Sequence, residues 1–390
     1  MTCTPETITE LKADPFRFSL DYQDLRKAYD VARLAGDYTT TKLILKDDAL
    51  YVRTDLDGLE CESKCKITLK PGRPSPTLAV SMSRSVLQEL IDKEAKWETL
   101  NCKIEWVDDS SVEDTSHAST TWTFEFGRTH VMCPADVIPS PEPLTSTGTT
   151  REISAEAFCQ TLRLLKSFVD PETKKNQFTS AFIHEGRAHA SVASHARLIN
   201  DKRLVWSDVY IGGRQINDLV YVLSRLVLPI SVADEGEKLF FQAANGICKI
   251  RKGSVSADAS KLESLSWSCS VEVATLDLNN AIDTICSQAT RKQASVRVNA
   301  GPSHGACIMF STEVPGGRAR LRLPTPSVLP DEIDLIVPAA SLSKLLASSV
   351  GGNVHLHFRP EVIAAKQEDA EVCVLTVVGG KPAGGTKGRA

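Results

Sequence analysis

The sequence predicts an α+β protein in which one design, two helices packed on antiparallel sheets, is repeated as three domains. Three observations predict it. Six amphipathic helical segments start at near-constant spacing: position 83 follows 21 by 62 residues, 213 follows 155 by 58, and 339 follows 277 by 62. Each segment has a single apolar face. Between them lie short alternating runs bounded by turn residues, the pattern of half-buried strands. Self-similarity at a fixed period marks an array of units sharing one architecture. A helix with one apolar face can cover one side of an antiparallel sheet and leave its other side to solvent or a ligand.

The elements follow in order. A strand at 16–20 precedes a helix over 21–34 with Leu25, Ala28 and Ala32 inward, and Asp21 is suited to accept the first free backbone N–H groups. Strands are expected at 41–46 and 49–54 around the turn Asp47-Asp48, then at 77–81. A helix over 83–96 and strands at 100–107 and 120–126 complete the first repeat, and a Pro- and Ser/Thr-rich connector runs from 134 to 150. The second repeat has helices at 155–169 (Phe158, Leu162, Leu165, Val169 inward) and 213–227 (Ile216, Leu219, Val220, Leu223, Leu226). Its strands read at 180–184, 188–193, 203–211, 229–233, 238–242 and 247–252, and 253–264 is a linker. The third has helices at 277–289 and 339–349, with strands at 268–274, 294–298, 306–312, 318–323, 332–337, 353–358 and 371–378. The expected domains are therefore 1–140, 150–255 and 265–380, with a glycine-rich tail at 381–390.

Composition bounds the function. With 24% charged and 42% hydrophobic residues the chain is ordinary for a globular protein. Its 45 basic and 49 acidic residues give a net charge of −4, so nucleic-acid binding would have to come from the placement of cations and not from their excess. No run of about 18 apolar residues and no targeting segment is seen, so a cytoplasmic protein without membrane association is expected. The eleven cysteines then read as reduced thiols. Cys61 and Cys65 share a strand face but lack the second pair of a structural zinc site. His184, His189 and His195, and the pair His355 and His357, lack a third ligand of matching geometry, and no cofactor or metal is expected. A nucleophile elbow, a metalloprotease motif and a dinucleotide fingerprint are all missing, so the chain reads as a non-enzyme.

At about 100° per residue, the side chains opposite the apolar stripes can be named. They are Lys27 (beside Asp30), Arg163, Arg214 and Arg225 (beside Asp218), Arg291 at a helix end, and Lys344. The second helix, with Glu89, Asp92 and Glu94, does not fit the pattern. Charged outer faces are common on any helix. Repeated across aligned helices, however, they would make a basic surface that neutralises phosphates without reading bases. Arg318, Arg320 and Arg322 alternate along one strand, either as a solvated face or as a patch for a partner or DNA.

Several local stretches then point to a family. Thr54-Asp55-Leu56 is similar to the TDLE stretch of the bacterial β sliding clamp, the processivity subunit of the replicative DNA polymerase. The stretch PADVIP at 134–139 resembles the PAEDFP connector of that family's first domain, and ASHARL at 193–198 resembles the middle domain's TDGHRL, keeping Arg197 and Leu198. The resemblance spans about 16–379. It implies three clamp domains, a head-to-tail homodimer closing into a ring, and a helix-lined hole around double-stranded DNA bound without sequence preference. DNA polymerase and the clamp loader would dock through short peptides in an apolar cleft. Carried over, that cleft takes Phe178 or Thr179, Arg197 and Leu198, with Val374 and Val377 from the last strand. The chain departs from the family at the 253–264 connector, at the Val377-Val378 ending, and at Asp37 after Gly36 where an arginine is expected. The alternative to a ring-shaped processivity factor is a scaffold of the same fold that binds peptides without encircling DNA.

Overall fold

The structure, a computed structural model, describes residues 11–34, 40–69, 75–92, 98–107, 119–172, 179–192, 195–204, 208–253, 266–289, 295–348, 352–360, 362–367 and 370–375. The chain forms two compact units. One comprises Met1–Cys159 and Arg214–Lys252, the other Gln160–Gly213 and Gly253–Ala390. Among the described residues no helix is long and apolar enough to cross a membrane.

In chain order the strands are β1 (Phe16–Asp21), β2 (Thr40–Lys46), β3 (Ala49–Leu56), β4 (Leu59–Leu69), β5 (Leu78–Ser83), β6 (Thr99–Val107), β7 (Ser119–Phe126) and β8 (Thr129–Val137). Next come β9 (Thr150–Ile153), β10 (Ser180–His184), β11 (Arg187–Val192), β12 (His195–Asn200), β13 (Val209–Gly212), β14 (Ile230–Glu235), β15 (Lys238–Ala243) and β16 (Gly246–Arg251). The last eight are β17 (Cys269–Ala274), β18 (Ser295–Gly301), β19 (Gly305–Val314), β20 (Gly317–Pro324), β21 (Ile333–Pro338), β22 (Asn353–Arg359), β23 (Val362–Gln367) and β24 (Ala370–Leu375). The helices that follow strands among the described residues are α1 (Tyr22–Ala32), α2 (Arg84–Asp92), α3 (Ala155–Leu165), α4 (Ile216–Leu223), α5 (Thr275–Gln288) and α6 (Ala339–Leu342).

The first unit holds one twelve-stranded sheet in the order β1-β6-β7-β8-β5-β2-β3-β4-β16-β15-β14-β9, and β1 also pairs with β4. The second holds β13-β10-β11-β12-β24-β23-β22-β17 and the four-stranded β20-β19-β18-β21. One order of eight strands thus occurs three times. The first, sixth, seventh and eighth strands of each set are neighbours, as are the fifth, second, third and fourth, and a helix follows the first and the fifth. The periodicity in helix starts has its counterpart in strand order.

Local chemistry explains the best-matched elements. Asp21 caps α1, its carboxylate accepting from the N–H groups of Gln23 at 2.7 Å and Asp24 at 3.1 Å. Asp47 and Asp48 both take positive φ, 50° and 54°, the geometry of a two-residue hairpin turn between β2 and β3. The core of the first repeat gathers Phe16, Phe18, Trp122 and Phe124 under Tyr22, Leu25 and Tyr29 of α1. The Tyr22 hydroxyl donates to the Ile91 carbonyl at 2.5 Å, tying α1 to α2.

Other elements differ from expectation. The segments 155–169 and 339–349 are not continuous α-helices: each ends in a 3-10 turn, at Lys166–Phe168 and Ser343–Ser348. The helix expected from 213 opens in the 3-10 turn Gly213–Gln215. Strands β4, β9, β12 and β23 were not expected, and β8 occupies the start of the expected connector. In β4 the reason is visible: Glu62 and Ser63, consecutive polar residues, are both buried, which erases the period-2 pattern. The strand expected over 203–211 is instead the turn at Arg203 and the short β13.

Candidate nucleic-acid interface and peptide cleft

In the first unit the site is built around the seam between β4 and β16. Leu59–Glu62 of β4 lie opposite 247–250 of β16, while the far end of β4, 67–69, pairs with β1. One seam face is apolar, with Leu59, Cys61, Cys248 and Ile250 fully buried. The other carries charge. Arg53 on β3 forms ion pairs with Glu60 and with Glu62 (3.5 Å), Lys249 pairs with Glu60, and Arg53 Nη1 also donates to the Glu142 carbonyl at 2.6 Å. Burial pushes both carboxyls up. At Glu60 the hydrogen bonds from Lys249 and Arg53 outweigh burial and hold it below the ordinary range, whereas at Glu62 burial prevails over the Arg53 charge.

Gly246 opens β16 where a Cβ would stand 2.6 Å from Val31 Cγ1 of α1 and 3.5 Å from Leu226 Cδ2, just past α4. Both helices therefore cover the same face of this sheet, side by side at the seam, and their outer surfaces look the same way. Lys27 is exposed on α1, 3.8 Å from Asp24. Arg214 is exposed ahead of α4. Arg225 is half-buried, its guanidinium stacked 3.3 Å from the Tyr221 ring centroid and donating to the Tyr221 carbonyl at 2.9 Å. Asp218, expected beside these cations on the outer face, is buried on the core side.

The second unit has a matching seam between β12 and β24, where His195 stands opposite Val374 and Leu198 opposite Glu371. The 3-10 turn Lys166–Phe168 packs on β12 and β11, and the turn Ser343–Ser348 packs on β24 and β23. Arg163 is exposed on α3 and Lys344 is half-buried in the second turn. Arg291, Phe178, Val377, Gly36 and Asp37 lie outside the described residues.

Arg197 and Leu198 are consecutive on β12, so their side chains leave by opposite faces. Arg197 is 1% exposed, with its guanidinium carbon 5.8 Å from the Phe168 ring centroid and Nη1 donating to the Leu164 carbonyl at 3.4 Å. Burial pulls its pKa down to about 10, which leaves it charged at neutral pH. His195, two residues earlier on that face, meets Phe168 at 5.2 Å and the Ser167 carbonyl at 3.3 Å. Burial, and after it the Lys344 charge, lower its pKa against the opposing Ser167 bond. Leu198 is buried on the opposite face, across from His189 on β11. Thr179 is half-buried at the start of β10, two ladders from β12, and its carbonyl accepts the Gly213 N–H at 2.8 Å. Arg197 and His195 thus share one face of β12, Val374 is the ladder partner of His195, and Thr179 stands apart. Sequence reasoning did not select Phe168 or His195; the i, i+2 spacing of His195 and Arg197 signals them once β12 is known to be a strand.

No protein-family model matches the sequence, and no curated protein is significantly similar to it. Solved structures are. The chain superposes on the DNA polymerase sliding clamp of Caulobacter crescentus with a TM-score of 0.75 at 11% identity, covering 93% of this chain and 99% of that one. For the DNA polymerase sliding clamp of Bacillus subtilis the TM-score is 0.74 at 14% identity, covering 94% and 100%. For the DNA polymerase III beta subunit of Thermotoga maritima it is 0.73 at 12% identity, covering 93% and 99%. At such identities what is shared is the fold, and this chain has the α+β fold of the bacterial DNA polymerase III beta clamps along nearly its whole length.

Proposed function

We propose that two copies of this chain close head to tail into a ring that encircles duplex DNA, slides along it, and tethers the replicative polymerase and other DNA-processing proteins. In this reading residues 1–140, 150–255 and 265–380 are three clamp domains, with 381–390 as a tail. The observation that carries it is the way the repeats join. The fourth strand of one set pairs with the eighth of the next: β4 with β16, then β12 with β24. That rule leaves over β20, an edge strand, and β8, which meets β5 only at 135–137. A second copy supplies the missing partner of each, and a heterologous contact that closes makes a cyclic dimer.

The helix cations supply a phosphate-facing surface, and topological closure lets the contact with DNA stay weak. Polymerase and loader peptides would dock beside β12 and β24, with Phe178 or Thr179, Arg197, Leu198, Val374 and Val377 as the candidate contacts. No catalytic step is assigned, and the setting expected is the cytoplasm. One observation favours the peptide-binding scaffold instead: Lys27 is paired with Asp24 and Arg225 is stacked on Tyr221, which blunts both as phosphate contacts.

Retention on nicked circular DNA, measured before and after linearisation, separates the two. A clamp is held on the circle and lost from the ends. Retention indifferent to linearisation, or a stable monomer at micromolar concentration, overturns the ring.

A further inference from the structure

Cys61 and Cys248 stand directly opposite each other across the β4–β16 seam. Their ladder position is fixed by a neighbouring bond: Arg251 N–H donates to the Gly58 carbonyl at 2.9 Å, making that pair a hydrogen-bonded one. Pairs alternate along an antiparallel ladder, so 250–59 is non-hydrogen-bonded, 249–60 hydrogen-bonded, and 248–61 non-hydrogen-bonded. In the last class the Cα atoms approach to about 4.5 Å, inside the ~4.4–6.8 Å range a disulfide spans. Both thiols point to the same apolar face and both are fully buried.

We propose that Cys61 and Cys248 are a modification site, an oxidisable pair that a hydroperoxide converts to a cross-strand disulfide stapling β4 to β16. The thiolate of one cysteine attacks the peroxide O–O bond, giving a sulfenic acid and hydroxide. The other sulfur then attacks the sulfenic sulfur and expels the second oxygen as water. Over both steps two thiols and one hydrogen peroxide give one disulfide and two waters. Burial holds the Cys61 thiol protonated, so the reaction waits on transient opening of the seam and is slow. None of the other cysteines of β4 to β16 is placed opposite a second one in a strand ladder: Cys65 faces Leu50, Cys102 faces Phe18 and Phe124, and Cys133 faces Trp122. The staple would close a loop of 187 residues (248 minus 61), the kind whose closure most restricts the unfolded chain. The proposal is independent of ring formation and of DNA.

The test treats the full chain with hydrogen peroxide, quenches, alkylates under denaturing conditions, and maps peptides. Expected are an intact mass lower by two hydrogens, loss of two of the eleven thiols, a Cys61–Cys248 cross-linked peptide, and a melting temperature raised by several degrees that dithiothreitol returns. Cys61→Ser and Cys248→Ser should each abolish both the cross-link and the shift. A cross-link mapping elsewhere, sulfinic acid at either position in place of the disulfide, or no rise in melting temperature with the cross-link formed, overturns it. Mapping on the wild-type chain decides even if a serine variant does not fold.

Discussion

Gly246 and Val31 are in contact across the seam, with room between them for a hydrogen but not for a methyl. An alanine Cβ at 246 would lie 2.6 Å from Val31 Cγ1 and 3.0 Å from the Glu62 carbonyl oxygen, and a backbone atom cannot yield as a side-chain tip can. Gly246→Ala is expected to lower stability by about 1–3 kcal/mol as overpacking. Urea unfolding measures it, and Val31→Ala in the same chain should recover part of the loss. An unchanged midpoint for Gly246→Ala would show that α1 is not seated on β16.

The charge cluster on the opposite seam face gives a pH signature. Glu60 is held below its ordinary range in the fold, so its contribution is present above the unfolded value near ~4.3 and is lost as pH falls through the lower folded value. Glu62 is raised, so the fold favours its protonated form; its contribution is complete below ~4.3 and is lost as pH rises through the folded value. Glu60→Gln should therefore flatten the acid limb of the stability profile, and Glu62→Gln should cost far less at pH 7 than Glu60→Gln. Arg53→Met leaves both carboxylates without their shared partner and is expected to cost about 3–5 kcal/mol.

These same residues show how far the sequence could be read. The six helices, and the strands flanking the Asp47-Asp48 turn, are set by local chemistry: a cap, a turn, a 3.6-residue stripe. The seams are not. Glu60 looks like a solvent-facing residue until Arg53 is brought to it from 7 positions before and Lys249 from 189 positions after. Likewise Arg197 enters the expected cleft only through the family resemblance, and it is the packing of Phe168 over β12 that buries it. A long-range partner leaves no periodic trace in the strand that awaits it, which is why β4 and β12 are among the strands that were not expected.

The helix cations differ in what each can give to a phosphate. Arg163 is exposed on α3, while Arg225 already stacks on Tyr221 and bonds its carbonyl. Arg163→Ala should weaken DNA binding equally for all sequences and reduce the slope of log affinity against log salt by about 1. Arg225→Ala should change that slope less and stability more. Fluorescence anisotropy at several salt concentrations, with duplexes of unrelated sequence, reads both. A slope unaltered by Arg163→Ala removes it from the interface.

The β12–β24 seam carries a pH signature of its own, through His195. Its folded pKa is lowered, by burial first and by Lys344 second, so the unfolded chain takes up the proton more readily. Its contribution to stability is then present above the unfolded value of ~6.5 and is lost as pH falls below it. His195→Asn should flatten the stability profile between pH 7 and 5, and Lys344→Met, which removes one of the two lowering causes, should make the loss smaller. Leu198 leaves the strand by the other face, so Leu198→Ala separates the two surfaces. It is expected to cost about 2–5 kcal/mol as a buried truncation and to weaken binding of polymerase-derived peptide, with the pH dependence of His195 intact. Removing the chain after Cys373, which takes Val374 with it, should weaken the same peptide while leaving dimerisation unchanged. Peptide affinity unaltered in both variants, by calorimetry at pH 7, would place the docking cleft away from this seam.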